Sequence, residues 1–298
     1  MKPISNATKG ALFCIFSGLF YCPIGYFGMS IMHENISISN MLFWRYFIST
    51  IFTFLILLPN ITVLNISYKE LWKPLLIGMV CYGNFSYLYF LSSKYIGSGL
   101  AMVIFFIYPA IVMIFNKVFH NHSIGIIYYF SISIIILGLA FLIDLDCAKF
   151  DLYGISLSLI TAVGYAIYIV LSKKQMPHIA PLVSTLMVSM GSSIVCLLIT
   201  LSDGSFIVPV QSAFWRNILG LSIISTALPT LFLLEGLKYI KSERASILSV
   251  LEPVGVFLLG VTVLKEHVTI MQTIGVIIIL VGAMLVQLDR TGNDNRTA

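Results

Sequence analysis

Charge is scarce in this chain. Only 10% of its 298 residues are Asp, Glu, Lys or Arg, against about 25% in an ordinary soluble protein. That little polar surface cannot cover a globule of this size in water, so a water-soluble enzyme or binding module is excluded. Histidine is missing from every long apolar run. No run holds paired carboxylates, a Ser-His pair or a His-rich cluster, which removes the usual catalytic sets of an intramembrane enzyme. No catalytic residue is therefore assigned, and the chain is expected not to be an enzyme. A phosphate-binding loop of the GxxxxGK[ST] type is also absent, as is any soluble segment to hold one. Work driven directly by ATP is excluded with it. The five cysteines (Cys14, Cys22, Cys81, Cys147 and Cys196) have neither metal nor redox spacing, and mostly sit in apolar runs, where packing is their role. His120 and His122 flank Asn121 without a carboxylate cluster, which makes a poor metal site. Neither metal nor cofactor is expected. The net charge of +5 comes from single basic residues scattered between apolar runs, so nucleic acid is not an expected partner.

What the chain has instead is apolar length. It is 59% hydrophobic, with a mean hydropathy of +1.00. Ten apolar segments can be drawn, at roughly 9–29, 38–58, 73–92, 96–116, 124–143, 153–171, 181–201, 216–235, 244–264 and 268–288. Each is about long enough to cross a bilayer as a helix. Barrel strands would be shorter and would alternate. The first run is too long for a cleaved signal, and no small-residue site follows it, so it is expected to stay as a span. The expected fold is an all-α membrane protein with ten transmembrane helices, and its first partner is the lipid bilayer.

The chain also repeats itself. At an offset of 144 residues, Lys94-Tyr95-Ile96 falls on Lys238-Tyr239-Ile240, Ser98 on Ser242, Ala101 on Ala245, Pro109 on Pro253 and Gly138 on Gly282. About eleven identities fall in roughly fifty aligned positions, well above chance for one fixed offset. The same offset pairs Gly10 with Gly154 and Tyr21 with Tyr165. Residues 1–146 and 147–298 thus read as two copies of one five-helix plan. An odd number of spans per copy turns the second copy upside down. With the N-terminus in the cytoplasm, about twelve Lys and Arg residues lie inside and four outside, so both termini are expected to be cytoplasmic. Inverted repeats of this kind build secondary transporters, with the substrate site near the midplane.

The second copy carries Arg244-Ala245-Ser246, then Glu252-Pro253, then an apolar run closed by Lys265-Glu266. The first carries Phe43-Trp44-Arg45-Tyr46. This pattern resembles the EamA-type transporters of the drug/metabolite transporter superfamily, over nearly the whole chain. The resemblance implies a ten-helix transporter with a central cavity and leaves its cargo open. The first copy departs from the second: Tyr108 stands at the Glu252 position, and Asn121-His122 at the Lys265-Glu266 position. The expected setting is the inner (cytoplasmic) membrane of a bacterium.

Several residues are candidates for holding a substrate. Arg45 is a charge about eight residues inside a span, which costs at least ~2.5–3.5 kcal/mol on insertion scales. It must face a cavity or a partner, either as a fixed cation for an anionic substrate group or as a structural arginine. Glu252 lies near mid-membrane. It reads as a proton carrier, as a ligand for a substrate ammonium, or as an acceptor or donor for backbone freed by Pro253. Asn84 and Thr226 are polar groups in apolar runs that either line the site or bond back into the helices. Tyr21, Tyr108 and Tyr165 are candidate cavity walls, with membrane-interface belts as the competing reading. Pro109 and Pro253 are expected to kink their spans. Glu235 is expected to pair with Lys238 at the membrane surface. One cation and a carboxylate within the spans match a zwitterion such as an amino acid. The expected function is a secondary transporter, an exporter or exchanger, of a small polar metabolite, coupled to a proton or to a counter-transported solute. A non-transporting scaffold or receptor with the same fold is the alternative. A homodimer is left open.

Overall fold

In hydrocarbon every backbone N–H and C=O must be paired within the protein, and a helix does this without a neighbour. The apolar runs accordingly coil into helices. The structure is a computed structural model that describes residues 5–32, 34, 36–59, 68–119, 124–142, 151–175, 178–262 and 269–288. Among these there is no strand. The helices of the first half are α1 (Asn6–Tyr21), α2 (Ile24–Met32), α3 (Ile38–Leu57), α4 (Tyr68–Ile77), α5 (Asn84–Ile96), α6 (Ser98–Phe105), α7 (Tyr108–Phe119) and α8 (Ile126–Ala140). Those of the second are α9 (Leu152–Gln175), α10 (Pro181–Ser202), α11 (Ser212–Leu219), α12 (Leu228–Tyr239), α13 (Ser242–Ser249), α14 (Glu252–Thr262) and α15 (Ile270–Leu288).

Among the described residues, seven helical segments are long and apolar enough to cross a membrane. They are Asn6–Met32, Ile38–Leu57, Glu70–Ile96, Ser98–Phe119, Leu152–Gln175, Pro181–Ser202 and Ser212–Tyr239. The apolar helices Ile126–Ala140 and Ile270–Leu285 are shorter. The expected ninth span is broken into α13 and α14. The chain is thus a multi-pass membrane protein, and its surface fits lipid. Leu55, Val118 and Leu198 are each more than half exposed, whereas Ser17, Ser49, Ser92, Ser158 and Ser192 are fully buried. Small residues inside let helix backbones approach.

Where helices begin and stop follows from local chemistry. Ser37 caps α3 by accepting from the Asn40 N–H (3.1 Å). Pro181 starts α10, where its missing N–H costs nothing. Gly97 joins α5 to α6 at φ +81°, a conformation a side chain would resist. Pro109 and Pro253 do more than kink their spans. Each sits second in a new helix, after a break at Phe106–Ile107 and at Val250–Leu251. These breaks are 144 residues apart. Two wide π-helical turns, Gly78–Gly83 between α4 and α5, and Gly220–Ala227 between α11 and α12, likewise end 144 residues apart. Pro23 breaks the first span, between α1 and α2. Its counterpart α9 has Ile167 at that position and runs unbroken for 24 residues.

The two halves grip each other through repeat-related pairs. A side chain at Gly10 of α1 would collide with Tyr239 and Ile240, and one at Gly154 of α9 with Tyr95 and Ile96. Each half thus packs its first helix against the other half's third span. Further along, Ser17 donates to the Pro229 carbonyl (2.8 Å), and Ser92 meets Ser158 (2.7 Å). Equivalent helices run antiparallel past one another. Ser39 of α3 donates to Asp203 just beyond α10 (2.9 Å), and Ser49 of α3 meets Ser189 of α10 (3.1 Å). In α8 and α15, a side chain at Gly138 would collide with Gly275 and Ile279, and one at Gly282 would crowd Ser131 and Ile135.

Candidate functional site

The helix breaks and π turns leave a gap between the halves. A cavity, part of it open to solvent, is lined by residues of α1, α2, α3, α5, α6, α7, α9, α13, α14 and the 78–83 turn. Tyr21, Arg45, Tyr108, Tyr165 and Glu252 all line it. The first residue after each break therefore faces the cavity, Tyr108 in one half and Glu252 in the other.

Arg45 is 2% exposed. Its Nε donates to Thr226 Oγ1 (2.7 Å) and its Nη2 to the Ser225 carbonyl (3.4 Å). The guanidinium has five N–H groups. Two are used, and the other three have no acceptor among the described residues. The neighbouring Tyr46 ring lies 5.2 Å from the guanidinium carbon and adds a cation–π contact.

Glu252 opens α14, and the positive end of that helix favours a carboxylate there. Its backbone carbonyl accepts from the Cys22 thiol (3.5 Å). Among the described residues, no hydrogen bond reaches its carboxylate and no ion pair joins it to Arg45, although the two charges lie within electrostatic range. Among the described residues, the expected bond to backbone freed by Pro253 is not made. The structure thus holds a guanidinium and a carboxyl group on one cavity, with no direct contact between them and no ion pair to either among the described residues.

Aromatic rings fill the walls. Tyr108 and Tyr165 meet edge-on at 4.8 Å, and Phe105 packs 5.2 Å from each. Tyr21, Tyr82 and Thr230 share a triangle of hydroxyls at 2.8, 3.1 and 3.2 Å. Tyr46 adds a short bond to Ser86 (2.5 Å). These bonds fix the tilt of the rings that face the cavity.

Two of the sequence candidates lie elsewhere. Asn84 turns its amide back to the carbonyls of Met79 (2.7 Å) and Val80 (3.3 Å), and so satisfies backbone within the π turn. Thr226 is fully buried behind Arg45 and does not line the cavity. Tyr26 is half-exposed, and Tyr168 packs behind Tyr82 and Tyr165. Glu235 meets Lys238 at 3.1 Å on the surface. Lys265-Glu266, His120 and Asn121-His122 lie outside the described residues. Among the described residues, His, Cys, Asp and Glu form no group fit for a metal. Sequence reasoning missed Tyr82, Tyr89 and Phe105, which line the cavity. A signal existed for Tyr82, because the 144-residue offset places it on Thr226.

Known proteins share this plan. An "uncharacterized transporter" of Archaeoglobus fulgidus is 31% identical over 133 residues, 45% of this chain and 47% of that one. The chain thus spans about half the length of that relative. The "uncharacterized transporter YxxF" of Bacillus subtilis is 22% identical and matches over 95% of this chain and 91% of its own. The "threonine/homoserine exporter RhtA" of Escherichia coli is 27% identical over 72% of this chain and 71% of its own. A protein solved by crystallography superposes with a TM-score of 0.79, covering 94% of this chain and 96% of that one at 16% identity, a likeness of fold alone. The EamA-like transporter family matches the sequence twice, over residues 8–144 and 152–288. Both halves, and with them nearly the whole chain, belong to the EamA-like transporter family.

Proposed function

We propose that the cavity binds a small zwitterion, an amino acid or a close relative, and that the protein is a secondary exporter or exchanger of it. One observation carries this reading. Arg45 and Glu252 line the same cavity, and among the described residues no ion pair joins them and no hydrogen bond reaches the Glu252 carboxyl. A buried charge left unmatched is costly. A ligand with a carboxylate at one end and an ammonium at the other relieves both costs at once. The aromatic walls then take the ligand's apolar part and add attraction for its ammonium. The name of the Escherichia coli relative, a threonine/homoserine exporter, supports the same ligand class.

In this reading, residues 1–146 and 147–298 are inverted five-helix repeats, ten spans in all, with both termini cytoplasmic in a bacterial inner membrane. Transport draws on the substrate's own gradient, an exchanged solute or a proton. Glu252 is where an ammonium or a proton would ride. Rocking of one half against the other would open the site to each side in turn.

The test uses purified protein in liposomes loaded with unlabelled L-threonine. Labelled L-threonine outside should accumulate by exchange, and Arg45→Met should abolish it. Equal accumulation in protein-free liposomes, or full activity in the variant, refutes the reading.

A further inference from the structure

We propose that Thr226 is a positioning residue that aims Arg45 at a substrate carboxylate. The inference rests on the reading of Arg45 as the carboxylate contact.

The argument begins with the backbone. Between α11 and α12 the helix widens over Gly220–Ala227, and such a turn breaks the regular i→i−4 bonding. Ser225 leaves helical geometry there (φ −105°, ψ 16°). Its carbonyl takes the Nη2 of Arg45 (3.4 Å), a side chain from the other half of the molecule. Thr226 then makes two bonds. Its hydroxyl donates to the Leu221 carbonyl five residues back (2.7 Å). A hydroxyl has a single hydrogen. With that hydrogen committed, Oγ1 can only accept, and it accepts from Arg45 Nε (2.7 Å). The π turn thus presents two acceptors side by side, one hydroxyl and one carbonyl.

They match one edge of the guanidinium. Nε–H and one Nη2–H form its side edge, and that edge is taken. The other Nη2–H and one Nη1–H form the end edge, and the second Nη1–H points back toward Cδ. Among the described residues the end edge has no acceptor, and Arg45 lines the cavity. Two parallel N–H groups on one edge suit the two oxygens of a carboxylate. Thr226, fully buried and away from the cavity lining, therefore acts on the ligand through Arg45. The first half makes different use of the same position. Its π turn places Tyr82 where Thr226 stands, and Tyr82 lines the cavity directly.

Valine matches threonine in shape but has no hydroxyl, so Thr226→Val removes both bonds. Thr226→Ser keeps both. Two measurements test the proposal. The first needs no substrate: hydrogen exchange at Arg45 Nε–H, followed by 15N NMR and assigned with Arg45→Lys. Wild type and Thr226→Ser should protect this proton, and Thr226→Val should lose the protection. Protection retained in Thr226→Val overturns the proposal outright. The second compares binding of L-threonine with that of L-threoninamide, which lacks the carboxylate. Wild type should prefer the acid. Thr226→Val should weaken acid binding about tenfold, the scale of one charge-assisted hydrogen bond, with amide binding unchanged and the serine variant close to wild type. Equal weakening of both ligands, or loss in the serine variant as well, marks a merely structural role and overturns the proposal. Absence of any acid preference in wild type refutes the carboxylate reading instead, and the exchange measurement still decides the positioning role.

Discussion

Replacing Glu252 by Gln separates a binding carboxylate from a structural one. The substitution preserves shape and removes charge. No hydrogen bond reaches the Glu252 carboxylate from the described residues, so the variant breaks no side-chain bond to them. Its electrostatic losses are the attraction to Arg45 across the cavity and that to the positive end of α14. Against this stands the cost of holding a charge in poorly hydrated surroundings, which the variant no longer bears. The two effects oppose, and the folded state should change in stability by less than about 1 kcal/mol. Ligand binding should behave differently. A hydrogen bond between a carboxylate and an ammonium contributes about 1.5–3 kcal/mol, which is roughly a ten- to hundredfold change in affinity. Glu252→Gln should therefore melt within a few degrees of wild type in detergent and bind L-threonine roughly ten- to hundredfold more weakly. Calorimetry on purified protein reads both quantities. A large fall in melting temperature with unchanged affinity refutes the reasoning, because it makes Glu252 a structural residue. Unchanged affinity with exchange intact and net flux lost would instead assign the residue to proton coupling alone.

Other parts of the account predict as sharply. Gly138→Ala should destabilise the fold by about 1–3 kcal/mol, because the new Cβ lies 2.8 Å from the Gly275 carbonyl and 3.0 Å from the Ile279 nitrogen; Gly25→Ala, which meets nothing within 4 Å, is the control, and thermal melts compare them. Asp203, beyond the end of α10, is pushed up by its partial burial, but hydrogen bonds from Ser205 and Ser39 outweigh this and hold its pKa below the usual value of 3.8. Its ionised form thus adds stability above that value, which is lost as pH falls below about 4; wild type should lose melting temperature there and Asp203→Asn should not, by less than about 1 kcal/mol for so exposed a group. Single cysteines at Val210 and Ser5, in a variant without the native cysteines, report orientation: an impermeant reagent outside whole cells should reach Val210→Cys and not Ser5→Cys, and the reverse pattern overturns the cytoplasmic N-terminus.

Much of the fold could be read from the sequence because hydrocarbon imposes simple rules. Run length marks a helix, and a constant offset of 144 residues marks the repeat. The antiparallel contacts of α3 with α10 and of α8 with α15 rest on that offset. Local interruptions were harder to read. A proline within an apolar run signals a kink and a break equally, and Pro109 and Pro253 begin new helices. No residue type demands a π turn, so the widened segments at 78–83 and 220–227 left no mark. The same asymmetry holds for the site. Arg45 and Glu252 stand out because charge in a span is costly wherever it lies. Asn84 and Thr226 stand out as polar residues too, but sequence cannot tell a side chain facing a cavity from one spent on a carbonyl in its own helix. Tyr89 and Phe105 are hidden for the opposite reason. Among 15 tyrosines and 21 phenylalanines, one aromatic ring in a span looks like any other.

The central claim is that one cavity reads both ends of a zwitterion. Equilibrium binding to the purified wild-type protein tests it with three ligands: L-threonine, L-threoninamide without the carboxylate, and 3-hydroxybutanoate without the ammonium. The account predicts that L-threonine binds, and that each analogue binds at least about tenfold more weakly, one charge-assisted contact having been removed from each. Binding of either analogue as tightly as L-threonine would contradict it.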